Sequence, residues 1–361
     1  MAACDDLAAQ FRNFVKLEGR AYSSLYERLS LTIAEDSKLL ALLDGAPAQQ
    51  RQPTLLYAAL HDLVLAHPHE DLARWYPTVT GTAVPDADLA PALRRFCFAY
   101  ESDIRRLVST RSTQTNEVRR CAALILAFDR IAAAVRCPLG IVELGASAGL
   151  NLMFDRFFYD YGALGTVGEV GSPVQIATAL RGINCPRLPA AIAPAGRRIG
   201  IDLEPVDVHD AAATRWLEAC LFADQLDRRD RLRAALDLAR TDPPEVRHGD
   251  MLALLPAAAD DIPESEHLCL VSTWAVHYLA PENRRALDAL VRKLGERRDL
   301  SWVAAEPSAV MADVQEPPLD PAAPHPTILT LTTIRSGAWR RSILARTHSH
   351  AAWIEWLDGG V

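Results

Sequence analysis

Through the first third of the chain, apolar residues recur at three- and four-residue steps. Phe11, Phe14 and Val15 begin the series, Tyr22, Leu25, Tyr26 and Leu29 continue it, and Leu39, Leu40, Leu42 and Leu43 end it at Asp44-Gly45-Ala46-Pro47. That spacing turns one face of a helix toward a core, and the Gly and Pro interrupt it. Further helices are predicted over residues 55–66 (stopped by Pro68), 91–110 and 116–135. No alternating pattern suited to a strand precedes residue 138.

Beyond Pro138 the pattern changes. Leu139–Leu144 is a short apolar run that ends in a glycine turn, as a strand buried on both faces should. Similar runs cover 198–203, 246–248, 267–273 and 301–305, with helical spacing at 211–223, 228–239 and 281–294 between them. Strand and helix in alternation predict a parallel sheet with helices on both faces. Ile328–Ile334 and Trp339–Arg346, joined by Arg335-Ser336-Gly337-Ala338, predict an antiparallel hairpin at the edge. The expected architecture is α/β: an all-α amino-terminal domain over 1–112, then a Rossmann-like, doubly wound, seven-stranded sheet over 113–361. The Gly-, Pro- and Ala-rich stretch 160–197 is too long for a simple connection and is expected as an insertion, a small hairpin or a lid.

Open parallel sheets hold ligands at the carboxyl ends of their strands, so the candidate chemistry is read there. Strand one runs into Glu143-Leu-Gly145-Ala-Ser147-Ala-Gly149-Leu-Asn151. Gly145 and Gly149 permit a tight turn and close approach of a ligand, with the free N–H groups of a following helix beyond. Glu143 would face a cationic group, and Asp202 at the second strand end would accept ribose hydroxyls in a bidentate manner. Asp250 follows the third strand, Thr273-Trp274 with His277 and Tyr278 the fourth, and Glu306 the fifth. This order of features points to S-adenosylmethionine as cofactor, held by Glu143, Gly145, Ser147, Gly149, Asn151, Asp202, Asp250 and Thr273. Trp274 and Glu306 would face the substrate. An imidazole exchanges protons near neutral pH, which makes His277, with Tyr278, the candidate base for methyl transfer. Asp202 and Asp250 also suit the plainer work of capping helices.

Composition narrows the partners. A net charge of −8 without a basic run argues against nucleic acid or an anionic membrane as partner. No apolar run reaches membrane-spanning length, and the amino terminus lacks a secretion signal. Seven cysteines without a CxxC pair read as buried thiols of a reducing compartment, not as a metal or disulfide framework. A cytoplasmic protein acting on a small molecule is expected.

Two other chemistries share the same residues. Gly145-Ala-Ser147-Ala-Gly149 matches the GxSxG elbow of serine hydrolases, with Asp250 and His277 or His348 downstream. The helical chain ahead of it, where such a hydrolase has strands, weighs against that. A dinucleotide fingerprint needs glycine where Ser147 stands. A non-catalytic protein that binds a cofactor or partner with the same fold is the remaining alternative. His348 and His350, two apart, would share a face of an extended segment, and Trp353 and Trp356 have the spacing of a helix face.

Several blocks resemble one bacterial family. They are Phe11-Arg12, Ser24-Leu25-Tyr26, Gln50-Arg-Gln-Pro53, Leu72-Ala-Arg-Trp-Tyr-Pro77, Thr110–Val118, Glu143–Asn151, Ser172-Pro-Val174, Gly200-Ile-Asp202, Gly249-Asp250 and His348-Ser-His350 with Trp353 and Trp356. Together they are similar to domain of unknown function 2332 over essentially the whole chain. The resemblance implies a methyltransferase-like fold behind a helical region. Arg340-Arg341 after Trp339, and Ser349 and Ala351 in the tail, depart from the family's commoner form. Arg111, Gln114 and Asn116, in the polar segment ahead of strand one, are expected to line the cofactor or substrate entrance. The alternative is that Thr115 or Asn116 caps a helix with Glu117 in its first turn.

Overall fold

In the computed structural model, residues 2–16, 23–310 and 326–358 are described. Tyr22 of the first apolar series lies outside them, as does the side chain of Cys4. By contacts the chain divides into two units, one of residues 1–115 and 209–230, the other of residues 116–208 and 231–361.

The apolar steps of the first third fold into α1 (Ala2–Phe14), α2 (Ser24–Ala34), α3 (Ser37–Leu40), α4 (Pro53–Ala66) and α5 (Pro77–Thr80). The predicted 91–110 helix is two: α6 (Leu89–Ala99) and α7 (Glu101–Thr110), parted at Tyr100, whose ψ of 23° leaves the helical well. Phe11, Tyr26 and Tyr57 meet edge to face at the centre, with Leu29 and Ile33 beside them. α4 is buried on nearly all sides, including two polar residues, His61 and Asp62. Their partners lie far along the chain, in and after α9 (Ala211–Ala219). His61 Nδ1 is 3.2 and 3.1 Å from the carbonyl oxygens of Ala219 and Leu221, so it carries the proton, and Nε2 accepts from Thr78 at 2.8 Å. Asp62 accepts from Arg215 at 2.9 Å. Both buried polar side chains are thus satisfied by residues of the 209–230 segment, which fastens it into the helical unit.

The second unit is a mixed α/β structure around a large, mostly parallel sheet. The strands are β1 (Leu139–Leu144), β2 (Phe158–Asp160), β3 (Thr166–Val167), β4 (Gln175–Ala177), β5 (Ala179–Arg181), β6 (Ala195–Asp202), β7 (Val246–His248), β8 (His267–Thr273), β9 (Leu300–Pro307), β10 (Thr327–Arg335), β11 (Ala338–Thr347) and β12 (Trp353–Trp356). The helices are α8 (Cys121–Val135), α10 (Leu226–Thr241) from Arg231 onward, α11 (Met251–Asp260) and α12 (Pro281–Gly295). Among the described residues the main sheet has nine strands, not the expected seven, in the order β5-β12-β11-β10-β9-β8-β1-β6-β7. The run β9-β8-β1-β6-β7 is parallel throughout, and β10 and β11 form the expected hairpin, antiparallel to β9.

The two extra strands come from segments without a strand pattern. β12 holds Trp353 and Trp356, which the spacing assigned to a helix; it pairs with β11 and, in parallel, with β5 of the insertion. Both tryptophans and Ile354 are buried, so the strand shows no period-two alternation to read. The rest of the insertion forms a second sheet, β3-β2-β4, which includes the anticipated small hairpin of β2 and β3. His348 and His350 stand in a turn and not on an extended segment: Ala351 N–H closes onto the His348 carbonyl, and His350 N–H onto His348 Nδ1.

One sheet face is covered by α11 and α12, whose Leu255, Ala258, Leu287 and Val291 pack on Val142, Leu144, Leu268, Leu270 and Trp302. α8 packs against β9. Cys97, Cys121 and Cys269 are buried as expected, whereas Cys185 is exposed. Among the described residues no helix is long and apolar enough to cross a membrane.

Candidate functional site

Strand order reverses at β1. The chain proceeds from β1 to β6 and β7 on one side, then returns with β8 and β9 on the other. A crevice opens at such a switch point, at the carboxyl ends of the strands, and there Glu143, Asp202 and Thr273 meet the loop 145–149.

The loop is tied down from inside. Gly145 and Ala146 both donate to the Ile201 carbonyl, and Gly149 donates to that of Ala146. Ser147 N–H donates to Asp202 Oδ2 at 2.7 Å. Ala148 and Leu150 both donate to Asn116 Oδ1, at 3.2 and 3.3 Å. Every backbone N–H from Gly145 to Leu150 therefore has an acceptor within the protein. Asn116 is not a helix cap; it braces the loop, while Glu117 caps the next turn through Arg119 N–H. The α-helix expected after Gly149 is also missing. Residues Leu150–Arg156 form a 3₁₀ run broken at Met153.

What the site leaves unpaired, among the described residues, is two buried oxygens. Glu143 is fully buried, and Asn151 Nδ2 donates to its Oε1 at 2.8 Å while also lying 3.5 Å from Thr273 Oγ1. Glu143 Oε2 has no partner, nor has the buried Oγ of Ser147. Burial pushes the Glu143 carboxyl up to about 8, reinforced by the neighbouring Asp202 charge and opposed by the Asn151 hydrogen bond and by Arg120. Ser147 has φ of 53°, uncommon for a residue with a Cβ and a mark of a constrained turn. Its hydroxyl meets no histidine, so the nucleophile–base contact that a serine hydrolase requires is not made.

Arg120 joins the site from a position that the sequence reading passed over. Its guanidinium donates to the carbonyls of Thr273 and Ser349 and lies 5.7 Å from the Trp274 ring centre. The visible signal was the Arg119-Arg120 pair just ahead of an apolar helix. Cys121 Sγ contacts Asn151 Oδ1 at 3.5 Å, and burial holds its thiol well above the ordinary range.

After β8 the chain makes a tight turn. Trp274 has φ of 55°, and its Nε1 donates to Thr327 at 2.8 Å. Glu306, with no exposed surface, accepts from the N–H groups of Ala275, Val276 and His277 at 3.1–3.3 Å. Tyr278 is 70% exposed.

The remaining candidates are placed differently. Asp202 Oδ1 accepts from Glu204 N–H, leaving each carboxyl oxygen one further acceptor site. Asp250 caps α11 through Leu252 and Ala253 N–H. Asp250→Ala is accordingly expected to lower the unfolding free energy by about 1 kcal/mol, measured by urea denaturation. Unchanged stability would remove the capping role. Arg111 and Gln114 belong to the helical unit, where the Arg111 guanidinium lies 5.9 Å from the Trp216 ring centre.

A family model described as an uncharacterized protein conserved in bacteria, domain of unknown function 2332, matches residues 8–356. No curated protein matches the chain. The match spans nearly the whole sequence, and the chain belongs to this family.

Proposed function

We propose that this member of the domain of unknown function 2332 family binds S-adenosylmethionine at the carboxyl end of β1 and methylates a small molecule. The observation that carries the reading is the balance of donors and acceptors. A loop that cradles phosphate presents free N–H groups, whereas here all of them from Gly145 to Leu150 are used within the protein. Among the described residues the atoms that remain are Glu143 Oε2, an acceptor once the carboxyl ionises, and Ser147 Oγ. A ligand without phosphate that carries an ammonium and a sulfonium meets that need.

When bound, the cofactor supplies an electrophilic methyl group. Glu143 would hold the cationic amino group and Asp202 the ribose hydroxyls on its free lone pairs. Leu203, 63% exposed just beyond Asp202, offers an apolar surface to the adenine. The contribution of these residues to rate is positioning, which lowers the barrier by fixing the angle of approach. Glu143 needs the ligand's positive charge to be worth ionising, so an uncharged analogue of the amino group should bind far less well.

Calorimetry with S-adenosylhomocysteine, which keeps the amino group and the ribose, is the direct check. Binding with a dissociation constant in the micromolar range is expected, with loss of at least tenfold in Asp202→Ala. Absence of heat at millimolar ligand, with the protein shown to be folded, would remove the reading. Binding without methyl transfer to any acceptor would instead favour a non-catalytic cofactor-binding protein.

A further inference from the structure

The turn after β8 carries a second arrangement, and we infer that Glu306 sets the tautomer of His277 so that its Nε2 takes a proton from a phenol-type hydroxyl. This rests on the methyl-transfer reading for its place in a reaction, though not for its geometry. Glu306 is buried at the end of β9 and holds three successive N–H groups of the turn. The same Oε2 that binds His277 N–H lies 3.8 Å from its ring Nδ1. That ring nitrogen is buried and has no hydrogen-bond partner among the described residues. An acceptor-only group beside Nδ1 favours the tautomer with hydrogen on Nδ1, which leaves Nε2 bare on the opposite edge of the ring. The contact is longer than a hydrogen bond, and catalytic contacts of this kind commonly tighten when a substrate closes the site.

The backbone of the turn is pinned from the other side as well. Arg284 donates to the carbonyls of His277 and Leu279 at 2.7 and 2.9 Å. The imidazole is then bracketed by two rings: Tyr278 at 3.8 Å between centres and Trp274 at 5.1 Å, edge on. A held imidazole with one edge bare, beside an exposed tyrosine ring, fits a flat acceptor that can lie on Tyr278 and present a hydroxyl to Nε2. A phenol gives up its proton far more readily than an alkyl alcohol, so an imidazole is a sufficient base for the former and a poor one for the latter. As the phenol oxygen bonds to the methyl carbon, the sulfur keeps the electron pair of the bond it loses, and the hydroxyl proton moves to Nε2. His277 is the catalytic residue in this scheme and Glu306 the positioning residue.

The test reads the imidazole itself. In protein labelled with ¹⁵N-histidine, and assigned by loss of the signal in His277→Gln, the neutral ring should carry hydrogen on Nδ1. Glu306→Gln keeps an oxygen for the turn but sets an amide NH₂ toward the ring, so the tautomer should change to hydrogen on Nε2. Hydrogen on Nε2 in the unsubstituted protein would overturn the inference, as would an unchanged tautomer in a folded Glu306→Gln. Millimolar 4-nitrophenol should shift the Nε2 signal, and cyclohexanol should not; equal shifts, or none, would overturn the assignment of acceptor. Methylation of 4-nitrophenol should fall at least a hundredfold in kcat in Glu306→Gln at unchanged S-adenosylhomocysteine affinity. If the ring signals behave as stated while no transfer occurs in any variant, methyl transfer fails and the Glu306–His277 arrangement stands.

Discussion

Glu143→Gln is expected to make the ligand-free protein more stable in alkaline solution while weakening its hold on S-adenosylhomocysteine at least tenfold. Burial lifts the Glu143 carboxyl from an ordinary 4.5 to about 8, so the folded state keeps a proton that the unfolded chain releases. Stability therefore falls as pH rises between those two values, because ionising the buried group costs more than ionising it in water. Above pH 8 the whole penalty is present, on the order of 5 kcal/mol, at about 1.4 kcal/mol per unit of displacement. Glutamine cannot ionise, keeps an oxygen for Asn151, and should remove the pH dependence. Urea denaturation at pH 5 and pH 8.5 measures it: variant and parent should nearly coincide at the lower pH and separate by a few kcal/mol at the higher. A difference of equal size at both would contradict the account. Near neutral pH the free carboxyl is largely protonated, so a cationic ligand must displace that proton. Calorimetry in buffers of different ionisation enthalpy should then register close to one proton released per ligand bound at pH 7.

Gly145→Ala should destabilise the protein by about 2–5 kcal/mol. The residue has φ of +77°, where a Cβ costs about 1–2 kcal/mol. An added Cβ would stand 2.4 Å from the Cβ of Ala275, across the crevice in the turn that Glu306 holds, and overpacking of this kind costs about 1–3 kcal/mol more. The neighbour is a methyl group fixed to backbone, with no rotamer to retreat into. A fall in the urea midpoint, with S-adenosylhomocysteine affinity reduced in the remaining folded protein, is the expected result. A variant as stable as the parent would show that the β1 and β8 turns do not meet as described.

How much of this was legible depends on the kind of signal. β1 and β8 were found by their apolar runs, and β10 and β11 by runs on either side of Arg335-Ser336-Gly337-Ala338, because in each case the strand's own residues carry the pattern. β5 and β12 were not, since a four-residue strand buried through Trp353, Ile354 and Trp356 has neither alternation nor length. The single break at Tyr100 left no mark because no glycine or proline stands there. The attachment of residues 209–230 to the helical unit rests on His61 and Asp62 reaching partners more than 150 positions away, a pairing that no local window contains. In the site, the glycine loop and Asp202, each placed at a strand end by the sequence, meet through the Ser147 N–H. The role of Asn116 was not legible, because its partners are backbone N–H groups of Ala148 and Leu150 and leave no trace in residue type. Glu306 was placed at the right strand end, but its work of holding a turn depends on the fold of residues 274–278.

The two strands that the sequence concealed also decide how the sheet terminates. Its outermost members, β5 and β7, are each three residues long. A nine-stranded sheet with long exposed borders would be a template on which another chain could lay a strand. Here the border offered to a neighbour is too short to hold one. The carboxyl-terminal β12 and the insertion's β5 thus act together as a barrier to self-association in concentrated solution, and losing β12 would bare the ten-residue β11.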